Sequence, residues 1–381
     1  MKAYSTGMKA RFSGGPAGAA PFFQRAIGLD PKFAMAYALL GRMYGDLNEA
    51  ALSAESTRKA YQLRDQASDR EKLWITAAYD TEVTENLEKA HETCEVWART
   101  YPREVVPHDF LAGIIDPVLG KFDEAVEESK KAINLDPDFT ISYAILATSY
   151  QYLDRLAEAD SVFEQASARK LQIPELWIQR YDMAFLKDDP AGMERVAALA
   201  RDDAEATEWI SNHAGSALAY SGHLKRAGTM SEHAADLAQQ AGHKESAGLY
   251  EAGAAVWEGF FGDAPAARQR AAKALGKSKD RGVEYGAALA LALSGDSARA
   301  QQLANDLEQR FPEDTSVRFS YLPTVRAQLA LNHGDPAKAI DLLQVANSRQ
   351  AGVLTTAARR VPVTLAGVEK SPCNESVRMQ L

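Results

Sequence analysis

At 381 residues the chain is longer than one ordinary hydrophobic core supports, so it is expected to form several domains or one array that grows by repetition. It is 46% hydrophobic and 25% charged, which excludes a disordered chain, and a net charge of −9 leaves no basic stripe for nucleic acid. Cys94 and Cys373 are too few and too far apart for a disulfide framework or a metal set. No apolar run is long enough to cross a bilayer, so no membrane insertion is expected. The opening MKAYSTGMKARF lacks the apolar segment of a signal peptide, and the expected compartment is the cytoplasm.

From the first residue onward the chain reads as paired helices. Alanine, at 68 residues, favours helix and lets helices approach closely. Ten units are expected, beginning near residues 1, 34, 71, 106, 140, 174, 208, 248, 281 and 320. The second, 34–67, carries Tyr37, Leu40-Gly41, Tyr44 and Ala60; the third, 71–104, carries Trp74, Ala78, Ala90 and Pro102. The fourth has Asp116-Pro117 late in its first helix, where proline should shorten or kink it. The fifth, 140–173, is the clearest, with Tyr143, Leu146-Ala147 and Tyr150 on one helix and Ala159, Phe163 and Ala166 on the next. The sixth departs most, with Tyr181 and Met193 where small residues are expected. Gly, Ala or Ser fills 26 of 30 such slots, where the helices of a pair touch. Gly262-Asp263, Gly295-Asp296 and Gly334-Asp335 then read as turns. Glycine takes the left-handed conformation that closes one helix, and aspartate caps the next. In Asp189-Pro190 and Asp335-Pro336 the proline follows at the first helical position, where its missing N–H costs nothing. The pattern fails after Asn347, so 1–350 is expected to be the helical array and 351–381 an irregular tail.

These motifs resemble the tetratricopeptide repeat family: an aromatic, then Leu-Gly or Leu-Ala, then Tyr on a first helix, and small residues on a second. The resemblance implies an all-α fold, an α-solenoid wound as a right-handed superhelix. Residues 3–346 are further similar to the repeat region that follows serine/threonine protein kinase domains or winged-helix regulators in bacterial proteins of acidobacterial type. The stretches LDPKFAMAYALLGRMYGDL, KAYQLRDQASDREKLWITAAY and WARTYPREVVPHDFLAG carry that likeness. No Gly-rich loop, His-Arg-Asp loop or Asp-Phe-Gly motif occurs; Asp109-Phe110-Leu111 departs at its third residue. No kinase residue is carried over, and no enzyme is expected. The expected function is a protein-interaction scaffold; the alternative is a detached sensing or docking region of a kinase or transcription regulator. A frameshift or early end near residue 348 is expected to account for the change of character there.

In such a superhelix the first helices line a concave groove. The candidate partner-binding residues are Arg42, Tyr79, Phe110, Thr148, Gln151, Gln179, Asn212 and His213, a mixture of aromatics and amides with little charge. They suit a protein or peptide partner; no cofactor or metal is expected. The lysines of a clamp for chaperone C-termini are missing, since Ala38, Ile75, Phe110 and Ala144 stand at the corresponding positions. His213, His223, His233 and His243 recur every ten residues, but ten residues turn a helix by about 280°, so they share no face. Cys94 and four tryptophans, Trp74, Trp97, Trp177 and Trp257, read as core; Trp209 falls nearer the concave face. An uncapped C-terminal end is expected to permit self-association.

Overall fold

The computed structural model describes residues 2–347, and the tail expected at 351–381 lies outside them. Helices account for nearly all of the described chain, and they pack in sequential pairs. The first unit is α1 (Lys2–Leu29), broken in the middle by non-helical φ/ψ at Gly15. Then follow α2 (Ala34–Asp46) with α3 (Ala50–Gln62), and α4 (Asp69–Glu82) with α5 (Leu87–Thr100). The fourth unit pairs α6 (Val106–Phe110), a π turn (Leu111–Ile115) and α7 (Asp116–Val118) with α8 (Phe122–Leu135). Next come α9 (Ile141–Tyr152) with α10 (Leu156–Ala168), α11 (Pro174–Leu186) with α12 (Pro190–Ala200), and α13 (Ala204–Tyr220) with α14 (Leu224–Ala241). The last three pairs are α15 (Lys244–Phe260) with α16 (Ala264–Lys277), α17 (Arg281–Leu293) with α18 (Ser297–Arg310), and α19 (Leu322–Asn332) with α20 (Pro336–Asn347). A second π turn, Val317–Tyr321, leads into α19.

The turns fix the register. From the second unit to the tenth, the fifteenth residue has positive φ: Asn48, Glu85, Gly120, Asp154, Asp188, Gly222, Gly262, Gly295 and Gly334. In most of them the next N–H reaches back five residues to a helix carbonyl, as from Asp296 to Leu291 at 2.9 Å. Asp189, Asp263, Asp296 and Asp335 then accept N–H bonds at the start of the second helix, as expected.

Pro117 neither shortens nor ends its helix. The π turn before it passes the Asp116 N–H back to the Leu111 carbonyl, and the wider turn absorbs the bond that proline cannot donate. Pro323 follows the second π turn at the same two-residue distance.

The small slots do what their size permits. A Cβ built on Gly41 would lie 2.2 Å from Thr57 Oγ1, so α2 and α3 touch there backbone to backbone. The apolar core is a series of local clusters, each shared between adjacent units. Cys94 is fully buried within the first cluster, beside Trp74 and Trp97. Trp209 belongs with the packing residues too, against Ile178, Tyr181 and Ile210. The array also curls back on itself. Gly15 of the first unit lies against Glu205 of the seventh, and the turns of the second and third meet the starts of α15 and α17 in the eighth and ninth. The offset is six units each time, so the two edges of the ribbon touch after one turn of the superhelix.

Candidate functional site

The first helix of each pair forms the inner wall. Of the candidates on first helices, Arg42 on α2, Tyr79 on α4, Thr148 and Gln151 on α9, Gln179 on α11 and His213 on α13 remain partly accessible. Thr148 is half-buried and its hydroxyl donates to the Ala144 carbonyl at 2.8 Å. The Gln151 amide donates to the Gln179 carbonyl of the next unit at 2.7 Å, so these two candidates are brought together. His213 Nδ1 lies 2.8 Å from the carboxylate of Asp182, one unit back. Thr148, Gln151, Gln179, Asp182 and His213 thus form a polar strip across three successive units, all half-buried.

The other candidates are occupied by the fold. Phe110 is 1% exposed, with its ring edge-on to Trp74 at 5.7 Å and close to Trp97. Asn212 is 4% exposed. Tyr79 stacks on Tyr61 of the preceding unit at 3.9 Å between centroids. Arg42 lies over the Phe110 ring and bonds Asp46 at 2.7 Å. Burial works against its charge, but Asp46, Asp109 and Glu82 outweigh it and hold the guanidinium protonated. Phe110 and Asn212 are therefore core residues: their side chains fill the space between first helices and cannot also face a ligand.

The packed interior between the helices is also charged in places. Acids replace the aromatic at the fourth position of three units: Asp109, Glu251 and Glu284. Glu251 is fully buried and bonds Arg270 at 2.9 Å and Lys273 at 2.5 Å; Glu284 bonds Arg310 at 2.7 Å. Burial pushes the Glu284 carboxyl up to about 7, against the pull of Arg310. His243 and Tyr250 both meet Glu208, at 3.3 and 2.8 Å.

The side of the superhelix is sealed by polar groups. No side chain of α3 itself caps its start; the Ala50 and Ala51 N–H groups donate instead to Glu245 of α15, at 2.5 and 3.2 Å. In return the Glu245 N–H donates to Glu49 Oε1 at 3.3 Å, and the Ser246 hydroxyl to the Leu47 carbonyl at 3.1 Å. Two helix N-termini six units apart therefore exchange caps. Further along, the Thr315 N–H donates to the Glu85 carbonyl at 3.0 Å, and Thr315 Oγ1 accepts from the Leu87 N–H at 3.1 Å. Arg281 bonds both Glu85 and Asp314, and Lys89 pairs with Glu313 at 3.0 Å. The partners that join the two sides had no sequence signal, because those contacts link positions about 200 residues apart.

A tetratricopeptide repeat family model matches residues 119–139, the span that holds α8. No curated protein sequence matches the chain. Among solved structures it is similar to yeast Tom70, at 14% identity over 99% of this chain and 92% of that chain, with a TM-score of 0.50. It is similar too to the Cut9–Hcn1 hetero-tetramer of the APC/C, at 14% identity over 93% of this chain and 75% of that chain, with a TM-score of 0.43. PilW, a widely conserved type IV pilus biogenesis factor, matches at 16% identity over 53% of this chain and 92% of that chain, with a TM-score of 0.37. These likenesses concern the fold, an α-solenoid of helix-turn-helix repeats.

Proposed function

We propose that this chain, a solenoid of tetratricopeptide-type repeats, is a protein-interaction scaffold that holds a peptide or protein segment against the inner wall of its superhelix. The observation that carries this reading is the half-buried polar strip of Thr148, Gln151, Gln179, Asp182 and His213 on three successive first helices. Amides and hydroxyls spaced along a groove suit the backbone of an extended segment, whose N–H and C=O groups need partners when taken from water. A carboxylate beside His213 adds a place for a donor side chain. The net charge of −9 argues for a protein rather than a nucleic acid. The chain is read as a binder with no reaction of its own.

Peptide display against the immobilised full chain tests this. Enriched ligands should lose at least about tenfold in affinity, ~1.4 kcal/mol, on Gln179→Ala combined with His213→Ala. Lys130→Ala, on the exposed outer side of α8, should leave binding unchanged. Ligands indifferent to both changes would place the binding surface elsewhere. The finer reading, a docking region that serves a separate kinase or winged-helix effector, rests on the resemblance of residues 3–346 to repeats that accompany such domains. Co-purification with an effector encoded beside it, dependent on the same two residues, is the outcome it requires.

A further inference from the structure

The seam between the early and late units differs in kind from every other contact in the array. Neighbouring units share apolar clusters: Phe23, Met43, Trp74 and Trp97 in the first, Leu291, Leu307, Val317 and Val325 in the last large one. Among the described residues, no such cluster joins the two sides of the seam. It consists of backbone and carboxylate hydrogen bonds and ion pairs, centred on Glu49 with Glu245, on Arg281 with Glu85, and on Thr315 with Leu87.

We propose that this polar seam is a latch. Closed, it fastens the turns of units two and three to the starts of units eight to ten, and a segment reaches the inner wall only from the ends of the superhelix. Released, it lets the ribbon edges part, and the wall opens along its side. The physical case rests on what each state leaves exposed. Opening splits no apolar cluster of the described residues, and water satisfies the donors and acceptors that are freed. Hydrogen bonds and ion pairs exchanged for water each add little net stability. Arg281 and Glu85 are largely withdrawn from water in the closed state, so their hydration on opening offsets part of what their attraction supplied. Holding the apolar contacts between neighbours intact, units four to seven absorb the motion as small rotations, the usual elasticity of a stacked array. That the opened wall admits a partner rests on the binding reading above; the opening itself does not.

Small-angle scattering of the full chain tests the opening without a ligand. Glu245→Ala combined with Arg281→Ala should raise the radius of gyration by roughly a tenth or more above that of the native chain, with helical circular dichroism unchanged. Arg155→Ala, which removes an exposed pair with Glu158 on the outside, should not. The native chain itself should expand between roughly 0.05 and 1 M salt, as the screening length falls to about 3 Å. Should the double variant lose its helices, the salt series on the native chain decides. Scattering unchanged from that of the native chain at low salt, in both the variant and high salt, would overturn the latch. In the binding arm, the open variant should associate with a displayed peptide several-fold faster than the native chain. Expansion with unchanged association overturns the gating, and expansion with no peptide bound at all removes the binding reading while the latch stands.

Discussion

The fourth residue of each unit is where residue chemistry and fold meet most directly. Tyr37, Trp74, Tyr143 and Trp177 put an aromatic there, and the sequence pattern makes those units readable. Asp109, Glu251 and Glu284 put a carboxylate in the same slot, and the fold compensates with an arginine: Arg42, Arg270 and Arg310. That exchange was not legible in the sequence, because Arg270 lies on the second helix of its pair and looks like any surface charge there. A buried ion pair is poor evidence of net stabilisation, but removing one partner strands the other. Arg270→Ala leaves fully buried Glu251 with Lys273 alone and also deprives Glu258 of its 2.8 Å bond. It should cost about 3–5 kcal/mol in urea unfolding. Replacing the acid as well, as Glu251→Tyr with Arg270→Leu, should recover most of that loss; a double variant as unstable as the single one would contradict the account. Glycine shows the same partial legibility. Gly262, Gly295 and Gly334 announce their turns, whereas Asn48, Glu85, Asp154 and Asp188 adopt the same positive φ without an identifying residue type.

Between elements, helix ends carry most of what was hidden. The small slots and turn residues gave the helix pairs and their order, because those signals are local. The fate of the α3 N-terminus was not available locally: its cap comes from Glu245, 195 residues away. That contact also sets a pH response. Burial first, and then the charge of Glu245, push the Glu49 carboxyl from 4.5 up to about 7; the Glu245 N–H bond and His243 act against the rise, and Asp280 adds to it. A raised folded pKa means that the native state keeps a proton the unfolded chain releases. The stabilisation is full below the unfolded pKa and is lost as pH climbs through the folded value. Glu49→Gln keeps an oxygen for the Glu245 N–H and removes the charge. Its thermal midpoint relative to the native chain should therefore be higher at pH 8 than at pH 4.5. A difference that is constant across that range would mean Glu49 ionises as an ordinary exposed glutamate. Proline illustrates the converse case. Pro117 was visible as a disruption, but the π turn that absorbs it depends on the whole helix and has no residue signature.

Across the molecule, stability should follow the size of the local clusters, since a stacked array is held by unit and neighbour terms rather than by one core. The first cluster runs from Ala19 to Val118 and includes four large aromatics; the cluster around Leu291, Leu307 and Val325 closes the other end. Between them a cluster with Tyr143, Tyr150 and Phe163 reaches as far as Leu176 and Met183, and the clusters after it are smaller: Ile178, Tyr181, Ala200, Ala206 and Ile210 in one, and mainly alanines with Tyr250 in another. The departure of the sixth unit from the small-residue pattern, at Tyr181 and Met193, was legible in the sequence and marks this thinner stretch. Native-state hydrogen exchange should find α11 and α12 opening at least about tenfold more readily than α4 and α5 or α17 and α18, a gap of ~1.4 kcal/mol. The seam bears on this ranking in a defined way. It ties strong end to strong end with polar contacts alone, so Glu245→Ala with Arg281→Ala should leave the order of protection in place and raise exchange chiefly at Ala50, Ala51 and Thr315, whose N–H groups it engages. Uniform protection along the array, or collapse of α4 and α5 in that variant, would mean that closure rather than neighbour packing holds the superhelix together.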